Sequence, residues 1–479
     1  MSIKMWSGFL LGMELFISTL LNIFLVLPVF TLIFGVNSIR RWIFGLRLKW
    51  RFGNKAKLAV GVECTWRPCQ IVRGLGVFDR TGFDWGSFKP RFIEEIGNNE
   101  KYKSLCWRLN MDDGPYKYWQ FCDNYDPLDH FRVVKGSRTE DGFMAQILEF
   151  GTRFPAEKPQ WEIILLEELP NPHQVGVVFR FHHSYGDGLS FIGALLGMTK
   201  EDEFPLVASP FVDHLSGWGR FKLNAFGCAM FGLTLVREMF FVPPPCPRYR
   251  HEDGGEGYST LRFNIPLSKL RTITKRTEQP ITISSIMMTS IAAAVARLPT
   301  TQAEPFYLKG ALVVTNPPYP RGKLCHRFST LLVSLPQDAH NVTEKTLVEI
   351  SKSCRSSFNP TAFFTRFLGD YLIGSLPTKI CENNPVTNYL VLSNIPFLKK
   401  RNVKFAGSTL LDCAAFFHVP NALYVSMISM EDNITVTMTA ARTMLNREEL
   451  DAVAVMLVQQ IDSLTSMKSR LPLRKDFEV

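Results

Sequence analysis

The chain has 479 residues, 46% of them hydrophobic and 20% charged, with a net charge of +10. This composition excludes a disordered tail, a collagen-like repeat and a disulfide mini-domain, because ample apolar material exists to bury large cores. One core rarely grows past about 250–300 residues, so the length favours two globular units. The ten cysteines are scattered without a CxxC pair, which argues for reduced thiols in a cytosol-facing protein and against a disulfide framework or a zinc ribbon.

From Leu15 to Ile39 the run LFISTLLNIFLVLPVFTLIFGVNSI carries no charge over 25 positions. That is enough for a helix of about 20 residues to cross a hydrocarbon core. A transmembrane helix is predicted over about 12–39, within an anchor of residues 1–45, with a kink at Pro28. The stretch exceeds a signal-peptide apolar core and no small-residue cleavage site follows, so an uncleaved anchor is expected. Arg40, Arg41, Arg47, Lys49, Arg51, Lys55 and Lys57 follow with no acidic residue among them, against Lys4 and Glu14 on the other flank. By the positive-inside rule this single-pass topology leaves the body cytosolic. The endoplasmic reticulum is the expected address, with the lipid droplet as an alternative. Those seven charges leave +3 of the net +10, and with Trp42, Phe44, Trp50 and Phe52 they suit an anionic leaflet and an aromatic belt. Nucleic acid is not an expected partner, since no phosphate loop or RNA-binding signature is present.

Residues 46–205 read as a mixed α/β domain, with strands at 161–168 and 175–181 and a helix from Leu189 to Met198. Residues 206–260 read as a crossover. Within it the uncharged Leu223–Val236 is too short to span a bilayer and reads as a buried or interfacial helix, dipping into lipid beside the anchor in one reading. Pro243-Pro244-Pro245 stops it. A second domain, 261–479, is expected to hold a buried helix at Thr282–Leu298 and a strand at Leu308–Thr315. Late strands are expected at Ala422–Ser429 and Ile434–Ala440, followed by an amphipathic helix at Asn446–Leu464.

The sharpest local feature is His182-His183-Ser184-Tyr185-Gly186-Asp187-Gly188. With 9 His and 32 Gly in the chain, an HHxxxDG pattern is expected by chance only about 0.0005 times in such a sequence. A histidine at the end of a buried strand can present a ring nitrogen to a cavity and take a proton from an alcohol. Gly186 and Gly188 permit a sharp turn, and Asp187 can fix it by accepting hydrogen bonds or pairing with an arginine. Adjacent histidines on a strand face opposite ways, which disfavours a metal site, and no GxSxG supports a serine hydrolase. The bland alternative is a pair of structural histidines in a turn.

HHxxxDG resembles the signature of the wax ester synthase/diacylglycerol acyltransferase family, a branch of the CoA-dependent acyltransferases. The resemblance runs over most of the chain. Trp119–Val133 is similar to the family's early stretch, Pro159-Gln160-Trp161-Glu162 to its Pro-Leu-Trp motif, and Leu392-Ser393-Asn394-Ile395-Pro396 to its Ser-Asn-x-Pro segment. Two departures stand out: Ser284-Ser285 replaces an Asn-Asp pair, and Phe397-Leu398 replaces the Gly-Pro after Ser-Asn-x-Pro.

The resemblance implies an α/β fold of two chloramphenicol-acetyltransferase-like domains with a tunnel between them, into which His183 projects as general base. It implies no cofactor, with acyl-CoA as co-substrate, a membrane as partner, and a fatty alcohol or diacylglycerol as acceptor, giving wax ester or triacylglycerol. In this reading Asp187 orders the loop, Gly188 completes the motif and His182 is structural. Asn394 either lines the tunnel, donates to the developing oxyanion or is a turn residue before Pro396. Trp161 packs beside the motif strand and joins Asn394 and Ser284 as candidate substrate-binding residues. The alternatives are another hydroxyl or amine acceptor on the same fold, or a catalytically silent lipid-binding or scaffold protein.

Overall fold

The structure is a computed structural model that describes residues 3–150, 153–197, 216–236, 257–277, 279–298, 309–315, 324–335, 342–357, 376–379, 389–398, 404–419 and 422–466. The crossover segments 206–215 and 237–256, with the Pro243–Pro245 stop, lie outside them. So does the end of the helix expected to reach Met198.

The chain opens on a long helix in three pieces: α1 (Ile3–Leu21), a π-helical turn (Asn22–Val26) and α2 (Leu27–Phe52). The widened turn sits immediately before Pro28, where the missing N–H breaks the regular ladder, so the expected perturbation takes the form of a π-bulge. The helix outruns the predicted 12–39 at both ends, and Arg40, Arg41, Arg47, Lys49 and Arg51 are carried on α2 itself. Gly12–Lys55 is long and apolar enough to cross a membrane. Its side chains are largely exposed: Phe24 at 75%, Leu32 at 70% and Trp50 at 91%.

Three short strands, β1 (Ala56–Leu58), β3 (Trp107–Asn110) and β4 (Tyr118–Phe121), form a small sheet in the order β1-β4-β3. The first large sheet uses β2 (Ile71–Asp79), β5 (Phe131–Gly136), β6 (Trp161–Glu168) and β7 (Gln174–His182), and also β12 (Lys404–Phe405) and β13 (Ser408–Phe416) from far along the chain. Its order is β12-β13-β2-β7-β6-β5. The second large sheet holds β8 (Tyr258–Pro266), β9 (Lys309–Thr315), β10 (Phe328–Ser334), β11 (Tyr389–Leu398), β14 (Ala422–Met430) and β15 (Asn433–Ala441), in the order β10-β9-β11-β14-β15-β8.

These pairings join elements that lie far apart in the chain. β8 straddles residues 260 and 261, so the second sheet begins inside the expected crossover, and the second half lends β12 and β13 to the first sheet. Asp412 on β13 then ties the sheets together, pairing with Arg262 of β8 and accepting from Thr435 of β15. The partly buried Asp412 carboxylate is satisfied there by both the cation and the hydroxyl.

Helices cover the sheets where the sequence is apolar at helical spacing. α3 (Trp85–Asn98) and α4 (Glu140–Glu149) serve the first sheet, with Phe143, Met144 and Ile147 of α4 packing on Leu75, Val178 and Phe416. α5 (Gly188–Gly197) follows the histidine motif, and α6 (Gly217–Val236) lies against α1. α7 (Leu267–Arg276), α8 (Ile283–Ala296), α9 (Glu344–Ser357) and α10 (Arg447–Ser466) belong to the second half. Leu450, Val453, Leu457 and Ile461 of α10 are buried on its one apolar face.

The contact between α1 and α6 is polar at its centre. Ser18, with no exposed surface, donates to the Ala229 carbonyl at 2.6 Å and accepts from Leu233 N–H at 3.2 Å. The serine oxygen therefore bridges a donor and an acceptor four residues apart on α6, the pair that normally bond each other. Asn22 adds donations to the Cys228 and Ala229 carbonyls at 3.2 and 2.9 Å.

Candidate active site

β7 is buried along its length after Gln174 and delivers His182 at its end, and His183–Tyr185 forms a single 3₁₀ turn. Both nitrogens of His182 are engaged: Nε2 lies 2.9 Å from the Arg67 carbonyl and Nδ1 2.7 Å from Ser184 Oγ. The carbonyl requires Nε2 to carry the proton, which makes Nδ1 an acceptor. Burial holds the His182 pKa down to about 4.

His183 is placed differently. Its backbone N–H is anchored on the Gln70 carbonyl at 3.0 Å, while its Nδ1 is buried without a hydrogen-bond partner among the described residues. The ring stacks on Trp66 at 3.9 Å and 18°, meets Phe417 edge-on at 4.9 Å, and lies 5.8 Å from His326 and 5.9 Å from Phe328. Burial pushes its pKa well below the ordinary histidine value, and the neighbouring His326 adds to this. The imidazole is therefore neutral at physiological pH, the state a proton acceptor needs.

Asp187 is also buried. Oδ1 accepts from Ser190 N–H and Oδ2 from Arg327 N–H, both at 2.9 Å, and its own N–H donates to the Cys325 carbonyl at 3.0 Å. His326 Nε2 donates to the Ser184 carbonyl at 2.9 Å. Residues 325–327 of the second half are thus laced to the motif loop of the first. Of the two roles open to Asp187, accepting hydrogen bonds is the one these contacts display, with Arg327 contributing its backbone N–H.

Neither motif glycine takes left-handed backbone. Gly186 is needed for space instead: a Cβ there would sit 2.3 Å from Ser190 Oγ and 3.2 Å from Cys325 N. At Gly188, which opens α5, a Cβ would press on Ile395 at 3.2 Å.

Trp161 lies apart from the ring cage of His183. It is 3% exposed, donates Nε1–H to the Leu105 carbonyl at 2.9 Å and stacks on His130 at 4.3 Å. It also lines a small cavity with Phe181, Phe191 and Leu324. Gln160 is fully bonded: its side chain pairs with both backbone groups of Leu109, and its N–H donates to the buried Tyr185 hydroxyl at 2.9 Å.

Asn394 is mid-strand in β11, opposite Met427, which overturns its reading as a turn residue. It shares a face with Leu390 and Leu392, which pack under the helices of the second half. Its Nδ2 donates to Ser284 Oγ at 3.2 Å, so two of the candidate substrate-binding residues are brought together, and neither belongs to the ring cage of His183. Ser285 completes a capping box with Thr282 at the head of α8. The Ser-Ser departure is thus absorbed by local bonding.

The sequence reading missed Trp66, His326, Phe328 and Phe417. No motif marks them, and the rings from positions 326–417 reach His183 only because the halves close on each other.

No family profile matches the sequence, and no curated protein matches it. Solved structures do. The chain is similar to a wax ester synthase/diacylglycerol acyltransferase from Marinobacter aquaeolei VT8, with a TM-score of 0.52 and 16% identity over 84% of this chain and 96% of that one. It is similar to the TRI3 trichothecene 15-O-acetyltransferase from Fusarium sporotrichioides, with a TM-score of 0.61 and 11% identity over 86% and 94%. The starter condensation domain of rhizomide synthetase RzmA, solved with C8-CoA and Leu-SNAC, matches with a TM-score of 0.56 and 12% identity over 88% and 98%. At these identities the likeness is one of fold: a mixed α/β chain with two chloramphenicol-acetyltransferase-like bodies, preceded by one apolar helix.

Proposed function

We propose that this chain, which has the fold of the CoA-dependent acyltransferases, is a membrane-anchored O-acyltransferase that moves a fatty acyl group from acyl-CoA to a long-chain alcohol or diacylglycerol. The observation that carries the reading is the state of His183: a neutral imidazole held between Trp66 and the second half, with Nδ1 sealed and, among the described residues, no structural bond consuming the ring. Nε2 is the nitrogen left to meet a substrate.

The reaction balances without a cofactor. His183 takes the hydroxyl proton as the alcohol oxygen bonds to the thioester carbonyl carbon. The tetrahedral intermediate collapses with loss of the C–S bond, and the departing CoA thiolate recovers the proton from the imidazolium. Burial disfavours the imidazolium, so the proton is held only transiently. Asp187 and residues 325–327 position the loop and make no step of their own.

The membrane reading rests on α1 and α2, whose apolar side chains face outward, and on the basic residues of α2. α6 is assigned beside α1 in the bilayer. A helix whose ladder is bridged by a partner's serine is tolerable in lipid because the Ala229 carbonyl and the Leu233 N–H are both still satisfied.

The test uses microsomes carrying wild type or His183→Ala, fed labelled palmitoyl-CoA with hexadecanol or diacylglycerol. Neutral-lipid formation should fall by about 10²–10⁴-fold in the variant. Equal output from the two would sink the enzyme reading and leave the lipid-binding alternative.

A further inference from the structure

On β2 the residues Val72, Gly74, Gly76 and Phe78 alternate onto one face of the first sheet. Glycine in a strand interior weakens it and often marks the close approach of another group. Here there are two, on a strand that is central in the sheet. The register sets Gly74 between Phe179 on β7 and Ala415 on β13, and Gly76 between Val177 and Cys413. The missing side chains leave a lane along the sheet, roofed by Ile395 of β11 and Ile428 of β14. One end lies at the motif, because Ile71 pairs with His182 and Gly188 joins the lining. The other end is stopped by Phe78, Phe405 and Leu410.

We infer that this lane holds the alkyl chain of the acyl donor and that Gly74 sets how much chain it admits. The inference rests on the acyltransferase reading and deepens it. Among the described residues no lining side chain is more polar than the Cys413 thiol, so the lane suits hydrocarbon over a headgroup. From Val72 to Gly76, where the Phe78 ring closes the lane, the strand advances about 13 Å at about 3.3 Å per residue. One lipid chain covers half of a hydrocarbon core about 30 Å thick, so the lane matches a single long chain. Its free volume is about 100 Å³, so Phe179, Phe191 and Phe405 must turn aside to seat that chain. Two chains do not fit. This separates a single acyl group from diacylglycerol, which brings two chains and a polar glycerol.

The two glycines differ in what they tolerate. A Cβ on Gly76 would strike the Phe78 ring at 2.8 Å, whereas a Cβ on Gly74 finds its nearest atom, the Phe179 carbonyl oxygen, at 3.9 Å. Gly74→Val therefore fills the lane without displacing the strand. Leu410→Ala opens the stopped end.

The experiment measures kcat/KM for octanoyl-CoA and palmitoyl-CoA with one acceptor, then for short and long alcohols with one donor, in wild type and both variants. Gly74→Val is expected to lower the palmitoyl-to-octanoyl ratio by about tenfold or more, and Leu410→Ala to raise it. A wild type that turns over while both variants keep its ratio overturns the inference, and so does a shift confined to the alcohol series. Binding of cis-parinaric acid supplies an arm without turnover. Weakened binding in Gly74→Val supports the lane even if the wild type transfers nothing, an outcome that would sink only the enzyme reading. Equal parinaric acid binding in wild type and Gly74→Val overturns the lane.

Discussion

At the residue scale, two adjacent histidines share one local sequence and have opposite fates. His182 spends both nitrogens on Arg67 and Ser184, while His183, one residue past the strand, keeps its ring free among aromatic faces. Asp187 shows how the loop is held. Its carboxylate accepts two backbone N–H groups, one from each half of the molecule. Leaving buried donors unmatched costs about 1–3 kcal/mol each. Asp187→Asn should therefore lower the thermal midpoint, with activity falling in step with stability. An Asn variant as stable as wild type but inactive would instead place Asp187 in the chemistry.

At the element scale, α1 and α6 are coupled by Ser18 and Asn22, the polar positions that the apolar run otherwise leaves unexplained. Interhelical bonds of this kind contribute about 0.6–2 kcal/mol in a membrane. Ser18→Leu together with Asn22→Leu should keep the anchor apolar yet part the helices. Oxidative cross-linking between Asn22→Cys and the native, exposed Cys228 measures their proximity. A cross-link is expected in that variant, and its loss is expected when Ser18→Leu is added. Failure of Asn22→Cys to cross-link would remove α6 from beside the anchor.

At the scale of the whole molecule, the seam between the halves is rich in buried histidine. His418 has its pKa pushed down to about 3 by burial and by Arg73, and His182 to about 4, against an ordinary value of 6.5. An unfolded chain binds those protons below pH 6.5, whereas the folded chain refuses them until pH 4 or lower. Stability is therefore full above pH 6.5 and declines as the pH falls toward 4, by up to about 1.4 kcal/mol per pH unit for each such histidine. Urea unfolding from pH 7.5 to 4.5 should trace that slope, and His418→Gln should flatten it. Indifference to pH across this range would mean that these groups titrate as freely when folded as when unfolded.

The sequence alone determined the features written in short-range patterns. Periodicity located β6, β7, β14, β15 and α10 to within a residue or two. An unbroken apolar run marked the N-terminal helix, and HHxxxDG marked the loop at the end of β7, within which only the family resemblance chose His183 over His182. The tertiary structure decided what depends on distant partners. β13 leaves its own half to join the first sheet, Asn394 bonds to Ser284 from within a strand, and His326, Phe328 and Phe417 close around His183 from positions 143–234 residues downstream. Hydrophobic spacing says which face of an element is buried but not against what. The environment that keeps His183 neutral exists only where the two halves meet.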